Sequence, residues 1–346
     1  MKRTKRVLGL ALAAVMCMGL LAGCGGTPSN SDTADETSGT ETSEKVLNIA
    51  TIGETTTLSP LYMIADNRPT QKLLYEGLVK YVDGEIQPVL AEDWELSEDG
   101  TQLTFYLRQG VTFHDGEPFN AEAAIANIES WHINPSFASL PGVVNYTNIE
   151  AVDEYTIRVT YDTPYFAYIN DFCWPDVCTM ISPKLITQGD FQTVNGYAGT
   201  GPYVYDEYVA GQYTTFVRNE NYWGEQPYYD KIVAKYIPDN ASRVQALQTG
   251  EIDLIYGSAE LSYEDYNQAT AIEGIEGKFA PSGSTIRNII LNFNGNLADL
   301  SVRQALAYAI DKGAISEGLT YGYEPVADTI VPDGTPYSDI CGTIDY

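Results

Sequence analysis

Ala91-Glu92-Asp93-Trp94-Glu95-Leu96-Ser97-Glu98-Asp99-Gly100 runs on through Leu103-Thr104-Phe105-Tyr106-Leu107 to Val111-Thr112-Phe113-His114-Asp115-Gly116. Trp94 to Leu96 and Leu103 to Leu107 each alternate apolar with polar, the period-2 pattern of half-buried strands. Glu98-Asp99-Gly100 between them supplies the turn, because Asp and Gly tolerate positive φ. The stretch is a hairpin, and Asp115-Gly116 ends the strand that follows. His114 sits in that second tight turn, where a solvated polar residue is the ordinary expectation.

Outward from the hairpin, strand and helix patterns alternate. Val46 to Ala50 is a first strand. Pro118-Phe119-Asn120 leads into a helix with Asn120 as N-cap and Ala121 to Ile133 as its body. Ile149 to Val152 and Tyr155 to Val159 pair around Asp153-Glu154. Asp239-Asn240 caps a helix over Ala241 to Thr249, and Gly250 stands where a left-handed C-terminal residue is favoured. Glu251 to Tyr256 returns as a strand, and Ile286 to Phe293 is an apolar strand ending at Asn294. Val302, Ala305, Leu306, Ala309 and Ile310 recur at helical spacing behind Ser301. Mixed strand and helix order with hairpins gives an α/β architecture in two lobes.

The N-terminus carries Lys2, Arg3, Lys5 and Arg6, then an apolar run from Val7 to Leu21. A membrane helix needs about 20 apolar residues, so the run fits a secretion signal better than a span. It ends in Leu21-Ala22-Gly23-Cys24, which resembles the bacterial lipobox. That resemblance implies a signal over 1–23 and a lipidated Cys24 at the start of the mature chain; an ordinary signal with a chance cysteine is the alternative. Residues 25–44 are almost all Gly, Ser, Thr, Asn, Asp, Glu and Pro, too polar to offset their chain entropy by burial. Residues 24–45 are therefore expected to be a lipid-bearing tether.

Composition excludes several functions. The formal net charge is −28, and loss of the four basic signal residues would make the mature chain more acidic still. Such a surface repels nucleic acid and anionic headgroups, so membrane attachment is expected through the lipid alone. The 26 tyrosines offer flat apolar faces with polar tips, suited to small-molecule pockets, although any one of them is more ordinarily a half-buried surface residue. His114 and His132 are the two histidines, and neither lies in a metal or triad spacing, so zinc and Ser-His-Asp chemistry are not expected. No cofactor or metal site is implied. Cys173 and Cys178 flank Trp174-Pro175 and could pair if the loop turns back; geometry decides that.

The opening stretch resembles the signature of the family 5 extracellular solute-binding proteins of oligopeptide, dipeptide and nickel importers. Five further segments carry the resemblance in order: Leu74-Tyr75-Glu76-Gly77-Leu78-Val79, Gly199-Thr200-Gly201-Pro202-Tyr203, Arg218-Asn219-Glu220-Asn221-Tyr222-Trp223-Gly224, Ala246 to Leu254, and Val302 to Asp311. Leu254-Ile255-Tyr256-Gly257, Tyr321-Gly322 and Val326-Ala327-Asp328-Thr329 resemble the nickel and metallophore-binding subgroup. The resemblance implies a two-lobed α/β fold like the type II periplasmic binding proteins. Lobe I would span 46–257 with a small β-rich subdomain near 82–165, and 258–346 would be a partial lobe II. Family members continue past this length, so the end at Cys341 to Tyr346 reads as a cut or a premature stop.

By resemblance the protein is extracytoplasmic, monomeric and not an enzyme. It would capture a metal chelate or short peptide as its lobes close, and then deliver it to an ABC permease. A peptide or pheromone sensor on the same fold is the alternative, and a secreted hydrolase is disfavoured by two isolated histidines. Candidate ligand residues are Arg68, which stands before Pro69 at the head of the helix carrying Leu73, Leu74 and Leu78, together with Trp174, Asp176 and Arg287. The nickel subgroup uses a first-lobe loop arginine and a second-lobe histidine. The matching loop here, Trp174 to Thr179, has no arginine, and the histidine segment would lie beyond Tyr346. Nickel therefore cannot be carried over residue by residue.

Overall fold

The computed structural model describes residues 44–62, 68–82, 84–174, 177–187, 196–257, 261–279, 286–327 and 329. The signal, Cys24, Asp176 and Cys341 lie outside these residues. No helix among those described is long and apolar enough to cross a membrane.

β1 (Val46–Thr51) is followed by α1 (Arg68–Leu74), then by the antiparallel pair β2 (Val79–Val82) and β3 (Glu85–Pro88). β4 (Ala91–Leu96) and β5 (Gln102–Leu107) are the hairpin read from sequence. Ser97 and Asp99 side chains accept the Thr101 amide in its turn, and Gly100 takes φ 67°. α2 (Ala121–His132) begins where expected, its N-cap Asn120 accepting from the Ala123 amide at 3.0 Å. α3 (Pro141–Val144) leads to β6 (Tyr146–Asp153), which pairs with β7 (Thr156–Tyr161). The resulting antiparallel sheet has the order β4-β5-β7-β6. Its inner face (Leu103, Phe105, Ile157, Val159) packs on Ile128 and Trp131 of α2, and α4 (Tyr168–Phe172) closes the end with Phe172 edge-on to Phe105.

The other large sheet adds β8 (Tyr203–Val209), β9 (Tyr213–Arg218), β10 (Lys231–Tyr236) and, after α5 (Asn240–Thr249), β11 (Leu254–Ile255). Its order is β11-β1-β10-β9-β8, parallel across β11, β1 and β10 and antiparallel beyond. β1 is an interior strand covered on both faces, so Ile49 faces one core with Leu58, Leu74 and Phe216 while Ala50 faces another with Ala246 and Ile252. Covering on both faces explains why β1 does not alternate polar with apolar. Asp239 caps α5 through the Ser242 amide at 2.8 Å, and Gly250 ends it at φ 74°.

Beyond these sheets lie α6 (Tyr263–Thr270), α7 (Leu300–Ala309) and α8 (Lys312–Thr320). Tyr263 stacks on Tyr323, and Tyr266 and Phe279 tilt against the pair in a partly exposed aromatic cluster. Four sequence expectations are corrected. Ile286 to Phe293 pairs with no strand among the described residues, leaving Ile289, Ile290 and Phe293 at 71, 92 and 67 % exposure. A strand needs a neighbour to satisfy its ladder, and apolar pattern alone does not supply one. The strand after Gly250 is confined to β11. α7 is capped by Asp299, two residues before Ser301, whose amide it accepts at 2.8 Å. Leu78 lies beyond α1, in the turn that redirects the chain into β2.

Candidate functional site

One wall is built from the segment following α4. The Cys173 amide donates to Asn170 at 3.1 Å, and the Val177 and Cys178 amides both donate to the Trp174 carbonyl at 3.4 Å. The chain then passes antiparallel to Gly77, bridging at Thr179, and the Met180 amide donates to the Glu76 carbonyl at 2.8 Å. Gly77 is required by this approach, since a Cβ there would stand 2.7 Å from the Cys178 carbonyl oxygen. Next, the buried Asn127 amide of α2 both accepts from Ile181 N–H and donates to Ile181 O, each at 2.9 Å. It substitutes for a strand neighbour at a point where none exists.

Trp174 is 44 % exposed and Tyr81, on β2, is 49 % exposed. With Asn170 and Cys173 they line an open depression of about 350 Å³ that carries no charged side chain among the described residues. Of the candidates named from sequence, Trp174 lines it. Arg68 opens α1, and Asp176 lies outside the described residues. Arg287 is engaged elsewhere: its guanidinium makes two 2.8 Å bonds to the Glu324 carboxylate, which also accepts from Tyr263 Oη at 2.6 Å. The structure therefore does not gather the four candidates into one constellation among the described residues.

Cys173 and Cys178 are free, buried thiols and do not pair. The loop does turn back, but Cys178 Sγ is directed at the Asp171 carbonyl, 3.4 Å away. Burial, with Asp171 adding to it, pushes the Cys173 thiol up to about 11 and raises Cys178 further. Neither is poised as a thiolate nucleophile.

Behind the wall lies a polar node that the sequence patterns did not disclose. Glu76 is half-buried, and its carboxylate accepts from Thr200 Oγ1 (2.9 Å), Tyr222 Oη (2.7 Å) and Trp223 Nε1 (2.7 Å). Burial raises its pKa; the three donors and Lys80 oppose that rise. His114 is not solvated as expected. Gly199 N–H donates to its Nδ1 at 3.3 Å and its Nε2 lies 2.9 Å from Gly201 O, so the neutral Nε2–H tautomer satisfies both. Burial lowers its pKa. Tyr81 was also unread: a single exposed aromatic on a short strand carries no sequence signal. Glu76, His114 and Thr200 did stand in the segments quoted for the resemblance, and their clustering there was the available clue.

Residues 85–341 match the bacterial extracellular solute-binding proteins, family 5, in their middle region. The chain belongs to this family. The nickel-binding periplasmic protein of Escherichia coli (strain K12) is 34% identical over 295 residues, covering 82% of this chain and 55% of that protein. The glutathione-binding protein GsiB of Pectobacterium atrosepticum is 32% identical over 304 residues, 84% of this chain and 57% of that one. Among solved structures, NikA from Brucella suis in complex with Fe(III)-EDTA superposes with a TM-score of 0.80 at 34% identity, covering 88% of this chain and 61% of that chain. The chain thus spans little more than half the length of these family 5 relatives. The two-lobed α/β class expected from the resemblance is the class of these neighbours, and the likeness to nickel-binding members holds in both sequence and structure.

Proposed function

We propose that the protein is the solute-capturing component of an ABC importer, anchored outside the cell by a lipid on Cys24 and acting as a monomer. Family membership over residues 85–341 carries this reading. Its closest support for a ligand class is the 34% identity to a nickel-binding protein, with glutathione binding in another relative. The ligand would be a small metal chelate or short peptide. Lobe I would be 46–257, including the β-rich part near 82–165, with the start of lobe II at 258.

Capture needs a preformed concave surface and a second lobe that closes over it. Trp174 and Tyr81 present the flat faces of such a surface. Arg68 and Asp176 are proposed to meet polar groups of the ligand, since a guanidinium can hold a carboxylate through two hydrogen bonds. Arg287 would reach a ligand only by exchanging its Glu324 partner.

Thermal shift of the protein carrying both complete lobes, against a nickel–histidine chelate, glutathione and a dipeptide, tests this reading. A ligand at a hundredfold excess over its Kd stabilises the native state by about 2.7 kcal/mol. A raised melting temperature with one class and not the others would name the ligand class; no shift with any of them would contradict the reading. Cys24→Ser should release the protein from the membrane fraction or leave it at precursor mass. Its persistence there as a lipid-modified mature protein would contradict the anchor.

A further inference from the structure

We propose that Glu76 is the positioning residue that locks the Cys178–Met180 stretch, which continues the Trp174 segment lining the depression, to the Gly199–Tyr203 segment. The proposal rests on the reading of that depression as the ligand site, but its geometry stands apart from any ligand. The main chain and side chain of Glu76 face opposite ways and do different things. The carbonyl accepts the Met180 amide at 2.8 Å, and the adjoining Gly77 bridges Thr179. The carboxylate accepts from Thr200, Tyr222 and Trp223, which belong to two segments far away in sequence.

Those two segments are themselves immobilised. The Gly201 amide donates to Leu74 O at 2.9 Å, Asn219 Nδ2 donates to Gly201 O at 3.0 Å, and His114 spans Gly199 and Gly201. The Arg108 guanidinium lies 4.4 Å over the Trp223 ring. The carboxylate is thus tied to a rigid frame, and the wall is tied to the Glu76 backbone. A wall fixed before the ligand arrives lowers the ordering cost of binding. This explains why three segments of the family signature meet at one half-buried carboxylate.

An ionised carboxylate has lone pairs for all three donors. Glutamine can serve nearly as well: its amide oxygen takes Thr200 and Trp223 while its NH2 donates to the Tyr222 hydroxyl. Leucine fills the space and leaves one buried and two half-buried donors without their acceptor. Hydrogen exchange of amide protons in the whole chain reads the difference. With Glu76→Leu, exchange at Met180 should quicken by about tenfold or more while the β6–β7 ladder stays within about twofold, because local opening and global unfolding separate at such sites. Glu76→Gln should restore the slow exchange at Met180. Tyr222→Phe, which removes one donor remote from the wall, should quicken Met180 in the same local way and add nothing in the Glu76→Leu background. Equal acceleration throughout the chain, no acceleration at Met180, or failure of Glu76→Gln to restore it would overturn the proposal. Should Glu76→Leu not fold, Tyr222→Phe and Glu76→Gln decide the matter alone. None of these outcomes depends on whether the depression binds a solute.

Discussion

The Nε2 of His114 lies 2.9 Å from the carbonyl oxygen of Gly201, across 87 residues of sequence. A turn residue of the hairpin region thereby holds the segment that leads into β8.

This contact makes stability depend on pH in a defined direction. The folded state lowers the His114 pKa below its ordinary 6.5, chiefly through burial. Between the lowered value and 6.5 the unfolded chain binds more protons, so the contribution is fully present above about pH 6.5 and is lost as pH falls below it. His114→Phe should cost on the order of 1–3 kcal/mol near neutral pH, because two backbone groups lose their partner. The difference between the two proteins in urea unfolding should shrink from pH 7 to pH 5. A difference that grows on acidification would contradict this sign.

Gly199 and Gly318 should respond oppositely to alanine. A Cβ at Gly199 would stand 2.0 Å from the Leu74 carbonyl oxygen and 2.5 Å from the Tyr75 ring, so backbone must move. Gly199→Ala should cost more than about 2 kcal/mol, the range of strained or overpacked sites. Gly318 sits within α8 with nothing within 4 Å of its Cβ position. Gly318→Ala should stabilise α8 by about 0.5–1 kcal/mol through helix propensity. Differential scanning calorimetry on both variants measures the contrast.

Ile290 and Leu103 offer a second contrast. Ile290 is 92 % exposed and Leu103 is fully buried on the sheet face beneath α2. Ile290→Lys should leave stability within about 0.5 kcal/mol and reduce binding of an apolar dye such as ANS. Leu103→Ala should cost about 2–5 kcal/mol. A large loss on Ile290→Lys would mean that the 286–293 segment is packed in solution.

The sequence made local features legible. The β4–β5 turn, the Asn120 and Asp239 caps and the left-handed Gly250 each depend on a few neighbouring residues. Relations set by distant partners were not legible. His114 is polar in a tight turn by any local rule, and only Gly199 and Gly201 remove it from solvent. Ile286 to Phe293 has a strand's apolar character, yet strand formation requires a ladder that no local pattern guarantees. Cys173 and Cys178 had workable spacing, and the direction of one thiol toward Asp171 keeps them apart. At the candidate site, Trp174 could be named because tryptophan beside proline is conspicuous. Tyr81 could not be, because only the folded chain brings β2 beside the Trp174 segment.

The most direct test of solute capture at the depression is a tryptophan-fluorescence titration of the protein carrying both complete lobes and of its Trp174→Ala variant. Trp131 is fully buried and Trp94 and Trp223 are half-buried against the core, whereas Trp174 is 44 % exposed and lines the depression, so ligand there should act mainly on the Trp174 signal. Nickel–histidine chelate, glutathione and a dipeptide serve as probes, with calorimetry of the same pairs as the second readout. A saturable change in the unsubstituted protein is expected with one of these classes, with affinity at least about tenfold weaker in Trp174→Ala, the loss of about 1.4 kcal/mol typical of a stacked aromatic contact. Binding of equal affinity in both proteins, or no saturable change with any probe, would contradict it.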